Sequence, residues 1–171
     1  MNIKAKLCLA VGLCAASISV HAAEAHVIVW AEVDPTLSLL KADGTALDDV
    51  VELPYIAGFG LKPWNEQVRI YTNDMGKDVE VRLGQTLELL PTFADAGAKP
   101  VPMKVTLNSR ELKTTVTDFT AAELFTGASP GEGASIMMPL IVGQATQAAI
   151  SVAGRYEGLL SVVLNQKATA P

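Results

Sequence analysis

The chain lacks most of the chemistry that enzymes and metal proteins use. Its 171 residues include two histidines and two cysteines. A zinc site needs three or four His, Cys or carboxylate ligands at matched spacing, and serine-type catalysis needs a base in reach of the nucleophile. This inventory leaves little for either. Basic residues are also scarce: 13 Lys and Arg stand against 18 Asp and Glu, for a formal net charge of -5. Nucleic-acid binding normally shows a basic patch, so that class is excluded. Aromatic residues make up 5% of the chain, so the core must be built from Val, Leu, Ile, Ala and Met. There is no Asn-x-Ser/Thr sequon. With hydrophobic residues at 50%, the chain is too apolar to be disordered. Its length suits one domain, or two very small ones.

The first 22 residues stand apart. Lys4 and Lys6 precede a run of apolar and small residues, Leu7 to Val20, which ends in Val20-His21-Ala22. A basic start, an apolar middle and a small-x-small end predict a secretory signal peptide, cleaved after Ala22; cleavage after Ala23 or Ala25 also fits. The run is shorter than the roughly 20 residues a membrane-spanning helix needs. Cleavage would remove Cys8 and Cys14, the two cysteines. It would also remove Lys4 and Lys6, making the mature chain more acidic, and leave His26 as its histidine. An exported chain without a disulfide must rely on packing, strand pairing or contacts between chains. The longest later apolar stretch, Ile136 to Val142, is interrupted by Pro139 and reads as a buried strand.

Beyond the signal, the dominant period is two. Val27, Val29, Ala31 and Val33 alternate with Ile28, Trp30 and Glu32. Val68, Ile70 and Thr72 alternate with Arg69 and Tyr71. Val79, Val81 and Leu83 alternate with Glu80 and Arg82, and Met103, Val105 and Leu107 with Lys104, Thr106 and Asn108. Each segment predicts a strand with one face toward a core. Further apolar runs are Val50 to Leu53, Ser135 to Val142, Ala148 to Val152 and Tyr156 to Leu164. Turn chemistry separates them at Asp43-Gly44, at Asn73 to Gly76, at Ala96-Gly97 and at Ser129 to Gly133. Seven or eight short strands joined in this way predict an antiparallel sandwich. Asp118 to Phe125 departs from the pattern: Thr120 and Glu123 fit a capping box and predict one or two helical turns. Asn165 to Pro171 reads as a frayed tail.

Other features have ordinary readings. Asp48-Asp49 reads as a solvated turn rather than a calcium site. The Gly-rich Ser129 to Gly133 loop lacks the Lys and Ser/Thr of a phosphate loop. Trp30 and Trp64 fit partial burial better than a carbohydrate platform, and His26 reads as a surface or interface residue.

The two ends of the mature chain are unusually apolar. The first strand begins close to the cleavage site, although mature N-termini are usually frayed unless something ties them down. Asp34-Pro35 stops it, because proline cannot continue a ladder and restricts the residue before it. In the C-terminal segment Tyr156, Gly158, Leu160, Val162 and Leu164 fall on one face. Either the two ends pair within one chain, or the first strand belongs in another chain's sheet.

Residues 23 to 47, AEAHVIVWAEVDPTLSLLKADGTAL, resemble the mature N-terminus of class 5 fimbrial major subunits, the pilins of the colonization-factor-antigen type assembled by the alternate chaperone-usher pathway. The likeness continues through Val51 to Tyr55, Val68 to Asp74, Lys77 to Leu83, Glu111 to Phe125 and Ala153 to Leu164. Its most specific stations are Val33-Asp34-Pro35, Ala42-Asp43-Gly44 and Thr72-Asn73-Asp74. The resemblance implies an all-β immunoglobulin-like antiparallel sandwich that is incomplete in the monomer and completed by a donor strand from a neighbouring subunit. It also implies a division into signal peptide (1–22), donor strand and hinge (23–35), incomplete pilin domain (36–164) and tail (165–171). By matching position, Val27, Val29, Ala31 and Val33 would be the donor residues and Asp34 and Pro35 the hinge. Tyr156, Leu160, Val162 and Leu164 would line the acceptor groove. Ile28 and Trp30, on the donor strand's other face, depart from the small or polar residues expected there. The implied function is that of a major structural subunit of an adhesive fimbria, with no catalysis and no cofactor. The implied partners are identical subunits in a head-to-tail filament, a periplasmic chaperone, an outer-membrane usher, a tip adhesin and a host-cell receptor. A tip adhesin or glycan-binding module is the alternative, though adhesins of such systems carry an additional binding domain. The implied route is export through the periplasm to the cell surface.

Overall fold

The computed structural model describes residues 37–94, 97–127 and 133–167. In chain order the strands are β1 (Ser38–Lys41), β2 (Tyr55–Ile56), β3 (Gly60–Leu61), β4 (Trp64–Tyr71), β5 (Val79–Leu83), β6 (Glu88–Ala94), β7 (Val101–Leu107), β8 (Arg110–Leu112) and β9 (Thr117–Phe119). A short helix, α1 (Ala121–Phe125), follows, and then β10 (Met138–Gln144), β11 (Gly154–Glu157) and β12 (Val162–Gln166). The fold is an immunoglobulin-like antiparallel sandwich. One sheet has the order β1-β4-β10-β7-β6-β11, with β8 also paired to β7; the other has the order β12-β5-β9. β2 and β3 form a small hairpin.

Register follows from burial. Val68, Ile70, Met138, Leu140, Val142, Val105 and Leu107 alternate inward on the large sheet. Val79, Val81, Leu83 and Phe119 do so on the small one. A one-residue slip of any of these strands would turn its apolar set to solvent. Pro139 is tolerated because it sits near the start of β10, where its missing N–H costs little; its carbonyl still accepts from Asn108 N at 3.0 Å.

The helix forms as its cap predicts. Thr120 Oγ1 accepts from Glu123 N at 3.2 Å, and Glu123 Oε2 accepts from Thr120 N at 2.9 Å. The turn drives Leu124 into the core at 1% exposure. The Thr120 N–H donated to it, and then the Arg110 guanidinium, hold the Glu123 carboxyl below the usual carboxylate range.

Several sequence expectations are corrected. Val50 to Leu53 and Ala148 to Val152 are not strands, and Val50 is 85% exposed. Tyr156 to Leu164 is not one strand. β11 pairs with β6 in the large sheet, whereas β12 pairs with β5 in the small one. The chain changes sheets at Gly158, where an added Cβ would lie 2.4 Å from the Glu88 carbonyl oxygen. That close approach admits only glycine. The C-terminal strand also runs further than expected. Asn165 and Gln166 belong to β12, and Lys167 N donates to Asp78 O at 2.9 Å.

Candidate functional site

Each sheet has one edge that ends at a common groove. β1 pairs with β4 on one side and β12 with β5 on one side, and among the described residues neither has a partner on the other. Each edge therefore offers a row of backbone N–H and C=O groups to an added strand.

Between the two edges lies a groove of about 1120 Å³. Its walls come from both sheets: Leu39 of β1, Trp64 of β4 and Val142 of β10 on one side, Val162 and Leu164 of β12 on the other. Leu53, Leu61, Leu87, Leu89, Ile150 and Tyr156 line the end nearer Trp64. The strand register explains the orientation. Val162 pairs with Leu83 and Leu164 with Val81, both buried, so these side chains share the inward face. Leu39 pairs with buried Ile70 in the same way.

The burial is lopsided. Val79, Val81 and Leu83 are at most 5% exposed, yet none of their β12 partners is fully buried. β1 is likewise half-buried throughout. An apolar face left half-covered retains hydrophobic free energy that a further strand could release.

Charge is kept to the rim. Asp48, Asp49, Glu52, Arg155 and Glu157 border the groove. Lys41, at the inward register position opposite Val68, extends to Asp48 Oδ1 at 2.6 Å. That hydrogen bond, first among its causes, raises the Lys41 ammonium above the usual lysine value. An inward-pointing lysine at the end of an edge strand also discourages unspecific strand addition.

Two polar ties hold the groove's walls. Tyr156 donates its phenol hydrogen to Val152 O at 2.8 Å. Gln166 Nε2 donates to Thr72 Oγ1 at 2.7 Å, joining the end of β12 to the chain just past β4. Among the described residues no group of three or more His, Cys, Asp or Glu could hold a metal ion. What the arrangement can do chemically is bind an extended apolar strand.

The structure brings Tyr156, Leu160, Val162 and Leu164 to this one groove, although Tyr156 comes from the large sheet, Val162 and Leu164 from the small one, and Leu160 from the link between them. Val27, Val29, Ala31, Val33, Asp34 and Pro35 lie outside the described residues, as do Ile28 and Trp30. Sequence reasoning missed Leu39, Leu47, Leu53, Leu87 and Leu89 as groove walls. The available signal was the apolar bias of Leu37, Leu39 and Leu47 within the 23–47 stretch. Leu87 and Leu89 gave no signal that separates a groove wall from an ordinary core residue.

Comparison with known proteins agrees with this geometry. Residues 23–165 match the family of the CS1 type fimbrial major subunit. The chain is 33% identical over 151 residues to the CFA/I fimbrial subunit of Escherichia coli O78:H11, covering 86% of this chain and 88% of that protein. It is 30% identical over 161 residues to the CS1 fimbrial subunit of Escherichia coli, covering 88% and 90%. The solved structure of the CooA pilin subunit from enterotoxigenic Escherichia coli superposes with a TM-score of 0.62 at 23% identity, over 80% of this chain and 91% of that one.

Proposed function

The chain belongs to the CS1 type fimbrial major subunit family, and on that premise we propose that it polymerises by donor-strand exchange. The segment carrying Val27, Val29, Ala31 and Val33 leaves its own domain at Asp34-Pro35 and fills the groove of the next subunit. Tyr156, Leu160, Val162 and Leu164 receive it. The single observation that carries this reading is the half-buried apolar groove between the unpartnered edges of β1 and β12.

The energetics support it. Three valines at roughly 1.5–3 kcal/mol each place the insertion at about 5–9 kcal/mol before ordering costs. Main-chain hydrogen bonds along the two edges add to this, as in other strand-addition complexes. Because donor and acceptor are different surfaces, the contact is head-to-tail and extends into a filament.

Residues 1–22 direct export, and the start of the family match at residue 23 supports cleavage after Ala22. In transit a periplasmic chaperone covers the groove, an outer-membrane usher exchanges it for the next copy, and a tip adhesin ends the cell-surface fibre. The subunit's role is structural, without catalysis or cofactor. Deletion of residues 23–33 tests the reading: the truncated subunit remains chaperone-bound and forms no fibres in electron micrographs of expressing cells. Normal fibres from that deletion would exclude donor-strand exchange.

A further inference from the structure

We infer that the β2–β3 hairpin is a rigid docking ridge for the body of the next copy of this chain, separate from the inserted strand. The inference rests on the donor-strand reading and names a second contact that this reading does not require.

The hairpin bears an unusual load of exposed apolar side chains. Tyr55, Ile56 and Phe59 are 52%, 45% and 48% exposed. Val50 and Leu159, at 85% and 69%, line the adjoining groove along with Tyr55. Exposure here does not come from a loose loop. Gln147 Nε2 donates to the carbonyls of Phe59 and Leu61 at 3.0 and 3.1 Å, and the Tyr55 hydroxyl donates to Ile150 O at 3.3 Å. Gly60, at φ +111°, lets the turn pack where a Cβ would lie 2.2 Å from the Ala148 carbonyl oxygen. The backbone is thus fixed with Ile56 and Phe59 pointing outward, although folding alone rewards the opposite arrangement.

Chain geometry identifies the occupant. The hairpin runs through Lys62-Pro63 into Trp64, so it sits at the Trp64 end of the groove. The described chain begins at the other end: Ser38 of β1 pairs with Tyr71. The eight-residue β4 joins these ends, and its seven residue steps span about 23 Å at roughly 3.3 Å each. A donor strand that left an acceptor at its Tyr71 end would place like ends together and permit reciprocal exchange, which closes after two subunits. One that leaves at the Trp64 end repeats without closing. Only Asp34, Pro35 and Thr36 then link Val33 of the inserted strand to Leu37, a reach of at most about 14 Å over four residue steps. The donor's own body must therefore sit against the Trp64 end of the acceptor, on the hairpin. It presents the end that carries Leu37 and the exposed Met75 of the Asn73–Gly76 turn.

Ile56 and Phe59 do not line the groove, which separates the two contacts experimentally. Filaments of the double variant Ile56→Ser/Phe59→Ser are compared with the native protein. A synthetic peptide of residues 23–34 is titrated into both subunits. The expected result is peptide binding within about twofold of native, with filaments that release subunits at least about tenfold faster on heating in detergent. Variant filaments of native length and heat resistance would overturn the inference. So would native-like filaments that had lost only host-cell binding, because the ridge would then serve a receptor. Failure of the peptide to bind even the native protein would instead remove the donor-strand reading, and this inference with it.

Discussion

The two sides of the sandwich are built from the same residue types and differ in how fully they are closed. Where β5 faces β10 and β7, valine and leucine are buried almost completely. Where β12 and β1 face each other, the same residue types remain half-exposed around the groove. Composition therefore does not separate core from binding site here. Among the described residues, the difference is whether a further strand pairs with the sheet edge.

That contrast can be broken first on the closed side. Phe119 is 1% exposed and lies under the Arg110 guanidinium, 4.8 Å from its ring centroid. Phe119→Ala should cost about 3–5 kcal/mol whether or not the groove is filled. Denaturant titrations of the full chain with and without the 23–34 peptide check this, and equal losses are expected.

On the open side the response should depend on occupancy. Leu164→Ala should cost about 2–3 kcal/mol with the peptide bound and under about 1 kcal/mol without it. Equal losses in both titrations would mean that β12 is already core, and the contrast would disappear.

A third substitution tests the junction between the two sides. Gly158→Ala forces a methyl against the Glu88 carbonyl and should destabilise by about 1–3 kcal/mol. It should also weaken peptide binding, because Leu160 and Val162 follow directly. Thermal unfolding and peptide titration read the two effects.

The smallest effect is pH dependence at the surface. The carboxyls of Glu123 and Asp43 are held below their usual range, the first by the Thr120 backbone and the second by the Thr45 hydroxyl. A carboxyl with a depressed folded-state pKa adds stability above its unfolded pKa, and that stability disappears as pH falls through the folded value. The melting temperature should decline slightly below about pH 4, and Glu123→Gln should flatten part of that decline. Lys41 works in the opposite direction: its raised pKa adds stability that is lost only above about pH 10.5.

Alternation made β5, β7 and the inner half of β4 legible, because a strand with one buried face writes its period into the chain. The Thr120–Glu123 box marked α1 for a similar reason: its two reciprocal bonds join residues three apart. What escaped was non-local. Tyr156 to Leu164 alternates like one strand, and the Glu88 carbonyl that divides it at Gly158 is remote in sequence. The hairpin at Tyr55 was hidden because its two short strands hold too few residues to show a period. The groove was legible only through its C-terminal wall. Leu39, Trp64 and Leu87 come from separate segments whose convergence no local pattern records.

The tie from Gln166 to Thr72 has a consequence for a chain whose two cysteines fall within its first 22 residues. It crosses from the small sheet to the end of the large one, a place where many exported domains would carry a covalent staple. A neutral hydrogen bond contributes roughly 1 kcal/mol, against about 2–4 kcal/mol for a disulfide. It can break and re-form by thermal motion alone, with no oxidant, no isomerase and no dependence on redox potential. The end of the sandwich is thus fastened by a clasp that can open briefly and close again unchanged.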